Sequence, residues 1–130
     1  VVGGAKQNAA AFPWESAFSG YDVCPWSQGE HSEIHITADV VLAWRQFDYL
    51  HRHDNTTGGV PFLQSIFPLL NETAHYWLSR CVKDDSKGVW HLNGVTSPDE
   101  YHFGNDSVYT NAAVKMAVNY TVEVAELLGF

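Results

Sequence analysis

Residues 61–81 read PFLQSIFPLLNETAHYWLSRC. Leu63, Ile66, Phe67, Leu70, Ala74, Trp77, Leu78 and Cys81 recur at three- and four-residue steps. That period lines them along one wide face of an amphipathic helix. Pro61 suits a first turn, where a missing N–H is no loss. Pro68 removes an interior donor, so a kink or a later helix start is expected there. Before this helix, DNTTGG at 54–59 is a clear break.

Moving outward, a second helical pattern runs from about Ser32 to His51. Ile34, Ala38, Val41 and Leu42 lie on one side, and Val40, Ala43, Trp44 and Phe47 on another. Apolar residues nearly all the way round mark a buried helix. A third pattern runs from Asp106 or Ser107 to Leu128. Ala113, Met116, Ala117, Tyr120, Val124, Leu127 and Leu128 share a face, which Val114, Val118 and Val122 widen, and Gly129 is a plausible stop. Between helices, KDDSKG at 83–88 is a polar turn, and Val89–Val95 alternates as a short extended stretch. Residues 8–32 form a long loop carrying Phe12, Trp14, Phe18, Tyr21 and Trp26. The expected fold class is all-α: about three long helices joined by long aromatic-rich loops. The apolar surface on two helices is wider than a three-helix bundle needs. A portion of a larger helical barrel fits better than an independent bundle.

Composition agrees with a packed domain. The 130 residues are 45% apolar and 14% aromatic, but only 17% charged. A small free-standing domain ordinarily carries more charge. Lys and Arg total 7 against 15 acids, a net charge of −8. Nucleic acid and anionic membranes attract basic surfaces, so neither partner is expected. No apolar run reaches the length of a membrane span. The 7 His are scattered, and the two cysteines lack zinc-site spacing, so no metal is expected.

Four N-x-[ST] sequons begin at Asn55, Asn71, Asn105 and Asn119. Chance predicts about one. The excess points to a glycosylated, secreted or lumenal protein, with lysosomal or vacuolar residence included. Asn71 and Asn119 fall within helical patterns, where a sequon can be buried and unused. Cys24 and Cys81 allow one disulfide, worth about 4 kcal/mol if geometry permits. Two buried thiols are the alternative.

The densest polar cluster is Thr96-Ser97-Pro98-Asp99-Glu100-Tyr101-His102, followed by Asn105, Tyr109 and Asn111. Adjacent carboxylates are often only a solvated loop. Here Pro98 stiffens the loop, and Tyr, Asn and His side chains crowd it with directional hydrogen-bonding groups.

The stretch VTSPDEYHFGNDSVYTN at 95–111 resembles the signature of glycoside hydrolase family sixty-five, the inverting α-glucosidases and α-glucoside phosphorylases. FPWES at 12–16, EIH at 33–35, HYWLSR at 75–80 and HLNGV at 91–95 match in the same order. The likeness covers essentially the whole chain. PWESA followed by G-x-x-V-C-P is similar to the acid-trehalase-like branch, which removes glucose from collagen glucosyl-galactosyl-hydroxylysine. Ser97 stands where the bacterial phosphorylases usually have Gly.

The resemblance implies an (α/α)6 barrel, with 1–130 as a fragment of one catalytic domain. It implies that Glu100 is the general acid, protonating the glycosidic oxygen while water or phosphate attacks the opposite face. Such an acid needs its pKa raised from about 4.3 to about 6. Asp99 either assists that shift or binds loop backbone. Trp14 resembles the aromatic wall of a glucose subsite, and Glu15 a hydroxyl ligand or loop anchor. His35 is expected to face the site, and Tyr109 and Asn111 to orient the acid or its loop. The resemblance places the second carboxylate, which holds the attacking water, downstream of Phe130. The chain alone is then expected to be inactive and to need the remainder of its own catalytic domain as partner. No cofactor is implied. The implied reaction is hydrolysis of glucosyl-galactosyl-hydroxylysine or a related α-glucoside such as trehalose. An inverting disaccharide phosphorylase and a non-catalytic sugar-binding or interaction protein remain as alternatives.

Overall fold

The computed structural model describes residues 9–24, 32–54, 58–99 and 101–130. Three long helices dominate: α1 (Ile36–His51), α2 (Gly59–Arg80) and α3 (Val108–Leu128). All three pack against one another. Their facing sides supply Ala38 and Val41 from α1, Leu63, Ile66, Leu70 and Trp77 from α2, and Val114, Ala117, Tyr120 and Val124 from α3. These are the positions whose three- and four-residue spacing marked the helices in the sequence.

Each helix end has a local cause. Ser107 caps α3, its hydroxyl accepting from the Thr110 N–H at 3.4 Å. Gly129 stops α3 in the left-handed conformation, φ 82°. Gly58 precedes α2 where a Cβ would overlap the His51 carbonyl, so only glycine lets the chain turn so tightly between α1 and α2. The α1 turn starts later than the pattern from Ser32 indicates. His35 is its N-cap, without a side-chain cap bond. Pro68 lies inside α2, which neither starts after it nor stops at it.

The all-α expectation holds for these helices and needs one correction. Two short antiparallel ribbons join α2 to α3. β1 (Cys81–Asp84) pairs with β2 (Val89–Leu92), in register Cys81 to Leu92. β3 (Val95–Thr96) pairs with β4 (Phe103–Gly104). The KDDSKG segment thus contributes the end of a strand and then the turn of a hairpin. Asp84 organises that turn by accepting from the Ser86 N–H at 2.9 Å and the Ser86 hydroxyl at 2.6 Å. Ribbons this short cannot stand alone, and both are pinned to the helices through buried Leu92 and Val95.

No disulfide joins Cys24 to Cys81 among the described residues. Cys81 packs half-buried against the core instead, and that burial pushes its thiol pKa up. Among the described residues, no helix is long and apolar enough to cross a membrane.

Candidate active site

The N-terminal segment is tied down at successive points. The Ala10 N–H donates to the Glu72 carbonyl on α2 at 3.0 Å, and the Phe12 N–H to Thr37 Oγ1 on α1 at 2.9 Å. Asp22 then holds a small loop, accepting from the backbone N–H of both Trp14 and Cys24 at 2.8 Å. These bonds bring Trp14 to the start of α1. There its indole meets the His35 ring edge-on, with centroids 5.8 Å apart.

His35 meets a third ring from a distant part of the chain. Tyr109, in the first turn of α3, lies edge-on to it at 5.5 Å. Asp39 connects the group. Its Oδ2 accepts from His35 Nδ1 at 2.9 Å, and its Oδ1 accepts from the Tyr109 hydroxyl at 2.8 Å. The bond to that carboxylate, with some burial, pushes the Tyr109 pKa up, which keeps the phenol a donor. His35 is only 3% exposed. Its Nε2 is buried and has no hydrogen-bond partner among the described residues.

The β3–β4 ribbon closes the loop from Ser97 to His102. Asp99 Oδ1 accepts from the Tyr101 N–H at 3.3 Å, its Oδ2 lies 2.7 Å from His102 Nδ1 as an ion-pair contact, and its carbonyl accepts from the His102 N–H. The loop is also joined to α3, through Ser97 Oγ and Ser107 Oγ at 2.8 Å. Just behind it, Asp106 adopts a positive φ of 55°. Its carboxylate accepts from His91 Nδ1 at 2.6 Å, the Leu92 N–H at 2.9 Å and Asn111 Nδ2 at 3.4 Å. The His91 bond leads, followed by the Leu92 N–H, in holding the Asp106 pKa below the usual carboxylate range.

The structure therefore brings Trp14, His35 and Tyr109 together. Asn111 belongs to the Asp106 group instead. Glu15 is exposed, and its backbone carbonyl accepts from the Val23 N–H at 2.9 Å. Glu100 and Asn55 lie outside the described residues. Asn105 is exposed in the turn after β4, with its amide oxygen accepting from the Gly94 N–H at 2.9 Å. Asn71 and Asn119 sit within α2 and α3, and their sequon partners Thr73 and Thr121 are buried, with hydroxyls on helix carbonyls. Sequence reasoning passed over Asp39 and Asp22. Asp39 had one legible signal, its i,i+4 spacing from His35. Asp22 had none beyond its place in an aromatic loop. Among the described residues, no group of three His, Cys, Asp or Glu side chains gathers as metal ligands would.

Comparison with known proteins bears on this arrangement. Residues 4–129 match the glycosyl hydrolase family 65 central catalytic domain. The protein-glucosylgalactosylhydroxylysine glucosidase of Dictyostelium discoideum is 43% identical over 120 residues, 90% of this chain and 16% of that protein. The kojibiose hydrolase of Flavobacterium johnsoniae is 35% identical over 125 residues, 94% of this chain and 17% of that protein. The kojibiose phosphorylase of Caldanaerobacter subterraneus subsp. tengcongensis is 30% identical over 145 residues, 95% of this chain and 18% of that protein. The chain thus spans about a sixth of the length of the curated relatives it matches. A match over nearly every residue, with the expected motifs in order, means that this chain belongs to glycosyl hydrolase family 65 and falls within its central catalytic domain.

Proposed function

We propose that these 130 residues are part of an (α/α)6-barrel glycosidase that removes glucose from glucosyl-galactosyl-hydroxylysine or a closely related α-glucoside. The observation that carries this reading is the 43% identity to a protein-glucosylgalactosylhydroxylysine glucosidase across nine-tenths of the chain. The ring cluster of Trp14, His35 and Tyr109 gives it a chemical use. Aromatic edges and faces suit the C–H surface of a pyranose, and polar tips among them suit its hydroxyls.

In this reading Glu100, the residue after Asp99, donates its proton to the glycosidic oxygen. Water attacks the anomeric carbon from the opposite face, and β-glucose leaves. The water is held by a second carboxylate some 6.5–9.5 Å away, supplied by the rest of the domain. Proton transfer needs hydrogen-bond reach, and the flanking residues Asp99 and Ser97 are both tied into the structure by hydrogen bonds. A secreted or lumenal setting goes with a collagen-linked substrate, and among the described residues exposed Asn105 is the sequon best placed to be used.

The test is Glu100→Gln in the full-length protein. Release of β-glucose from glucosyl-galactosyl-hydroxylysine should fall at least about a hundredfold with folding intact. Near-normal turnover would remove Glu100 from the acid role. Trehalose as substrate tests the wider specificity. Kinship with a kojibiose phosphorylase supports a second reading, phosphorolysis. Appearance of β-glucose 1-phosphate on adding phosphate would favour it.

A further inference from the structure

Asp39 looks at first like an ordinary acid in the first turn of α1. Its surroundings are not ordinary. Both carboxylate oxygens are used, one on His35 Nδ1 at 2.9 Å and one on the Tyr109 hydroxyl at 2.8 Å. The two acceptors of one side chain therefore fix two rings that come from different helices. A carboxylate only accepts, so the proton in the His35 bond belongs to Nδ1. In the neutral ring, Nε2 then carries the lone pair. That atom is buried in a residue 3% exposed, whose ring packs in T-shaped contact with both Trp14 and Tyr109, and it has no partner among the described residues. Buried polar atoms nearly always have a partner, so one left without a partner in a native site calls for an explanation.

We propose that Asp39 is a positioning residue for His35, holding the imidazole in the Nδ1–H form so that Nε2 accepts a hydrogen bond from one hydroxyl of the terminal glucose. The proposal rests on the α-glucosidase reading and deepens it. It makes His35 a specificity-determining contact that reads the presence of one particular hydroxyl. A site built to bond a hydroxyl strongly rejects the analogue that lacks it. Asp39 acts through the ring and touches no substrate.

The experiment uses the full-length protein, the parent α-glucoside and its four monodeoxy analogues at C2, C3, C4 and C6 of the terminal glucose. Asp39→Ala and His35→Ala should each raise KM for the parent at least about tenfold, with kcat changed much less. The double variant should be no worse than the poorer single one. One deoxy analogue, poor for the native protein, should be no poorer for either variant. Should Asp39→Ala fail to fold, Asp39→Leu, which keeps a branched side chain without the hydrogen-bonding oxygens, gives the same reading. Losses that multiply, or an unchanged ranking of the analogues, overturn the proposal. If the native protein cleaves no α-glucoside, the glycosidase reading falls by itself. Calorimetric binding of glucose and its deoxy forms then decides this proposal separately. A deoxy pattern that changes in Asp39→Ala supports it, and an unchanged pattern or absence of glucose binding overturns it.

Discussion

Arg52 forks onto Asp48, a carboxylate with no exposed surface at all. The same guanidinium reaches Glu123 on α3 at 2.8 Å, so one cation ties the end of α1 to the far part of α3. Tyr49 adds a bond from its hydroxyl to Glu123 at 2.8 Å, and both Arg45 and Arg52 lie over its ring. Burial, helped by nearby Asp48, pushes the Tyr120 pKa up. Arg52→Met strands Asp48 without its counter-charge. Breaking a buried pair this way costs about 3–5 kcal/mol, and the partial exposure of Arg52 argues for the lower end. Adding Asp48→Leu to Arg52→Met should regain most of the loss, since the orphaned charge is then gone. Urea unfolding of the full-length protein and both variants measures the difference. Equal stability of the single and double variants would contradict it.

Asp106 makes a pH-dependent prediction. Its folded-state pKa is depressed below the ordinary 3.8 by the His91 and Leu92 bonds. A depressed carboxylate contributes stability above its unfolded pKa and loses it as pH falls through the folded one. The native protein should therefore lose its advantage over Asp106→Asn as the pH is taken below 3.8. Near neutrality, Asp106→Ala should cost about 1 kcal/mol from lost hydrogen bonds, discounted for partial exposure. Asp106→Val should cost more, because a β-branched residue is strained at a φ of 55°. Thermal unfolding across pH gives all three comparisons. An Asp106→Asn offset that stayed constant to low pH would count against the linkage.

How much of this was legible in the sequence differs by element. The helices were, because Leu63, Ile66, Leu70 and Trp77 repeat the helical period and are buried on α2, although Thr73 and Tyr76 are buried beside them and Leu78 of the same pattern is exposed. The ribbons were half-legible. Val89–Val95 showed an extended alternation, but its partner Cys81–Asp84 is four residues long and half polar, too short for a period to register. The ring cluster was legible only as separate members. Trp14, His35 and Tyr109 stood out through their motifs, yet nothing local says that residues 14, 35 and 109 meet. Asp39 gained its role from tertiary contact with Tyr109, 70 positions away. Pairings at that separation leave no mark in a single sequence.

Asp22 predicts an effect on substrate affinity at a distance from the chemistry. It holds the Trp14 and Cys24 N–H groups from one carboxylate, and its bridge to Ser16 closes the loop. Asp22→Ala should let Trp14 leave the His35 edge for part of the time. With Trp14 as the sugar wall of the proposed site, KM of the full-length protein should rise about three- to tenfold with kcat close to native, because a displaced wall removes uniform binding. Asp22→Asn retains an acceptor for only one of the two amides and should fall between. A fall in kcat with unchanged KM would mean that the loop serves the reacting centre instead.

Pro68 gives a prediction of the opposite sign. It lies in the middle of α2, in an unbroken helix, and its side chain is exposed. Proline there has no N–H for the Gln64 carbonyl, and its ring crowds that carbonyl. Host–guest scales put interior proline about 3 kcal/mol below alanine. Some of that penalty is offset, since proline also narrows the unfolded ensemble. Pro68→Ala should accordingly stabilise the domain by about 1–2 kcal/mol, seen as a higher urea midpoint with unchanged slope. Leu70 lies two residues on and is fully buried, so a bend at Pro68 that set its packing would reverse the result. Destabilisation by Pro68→Ala would mean that the proline directs α2 onto its neighbours, and that the helix needs its shape more than its missing hydrogen bond.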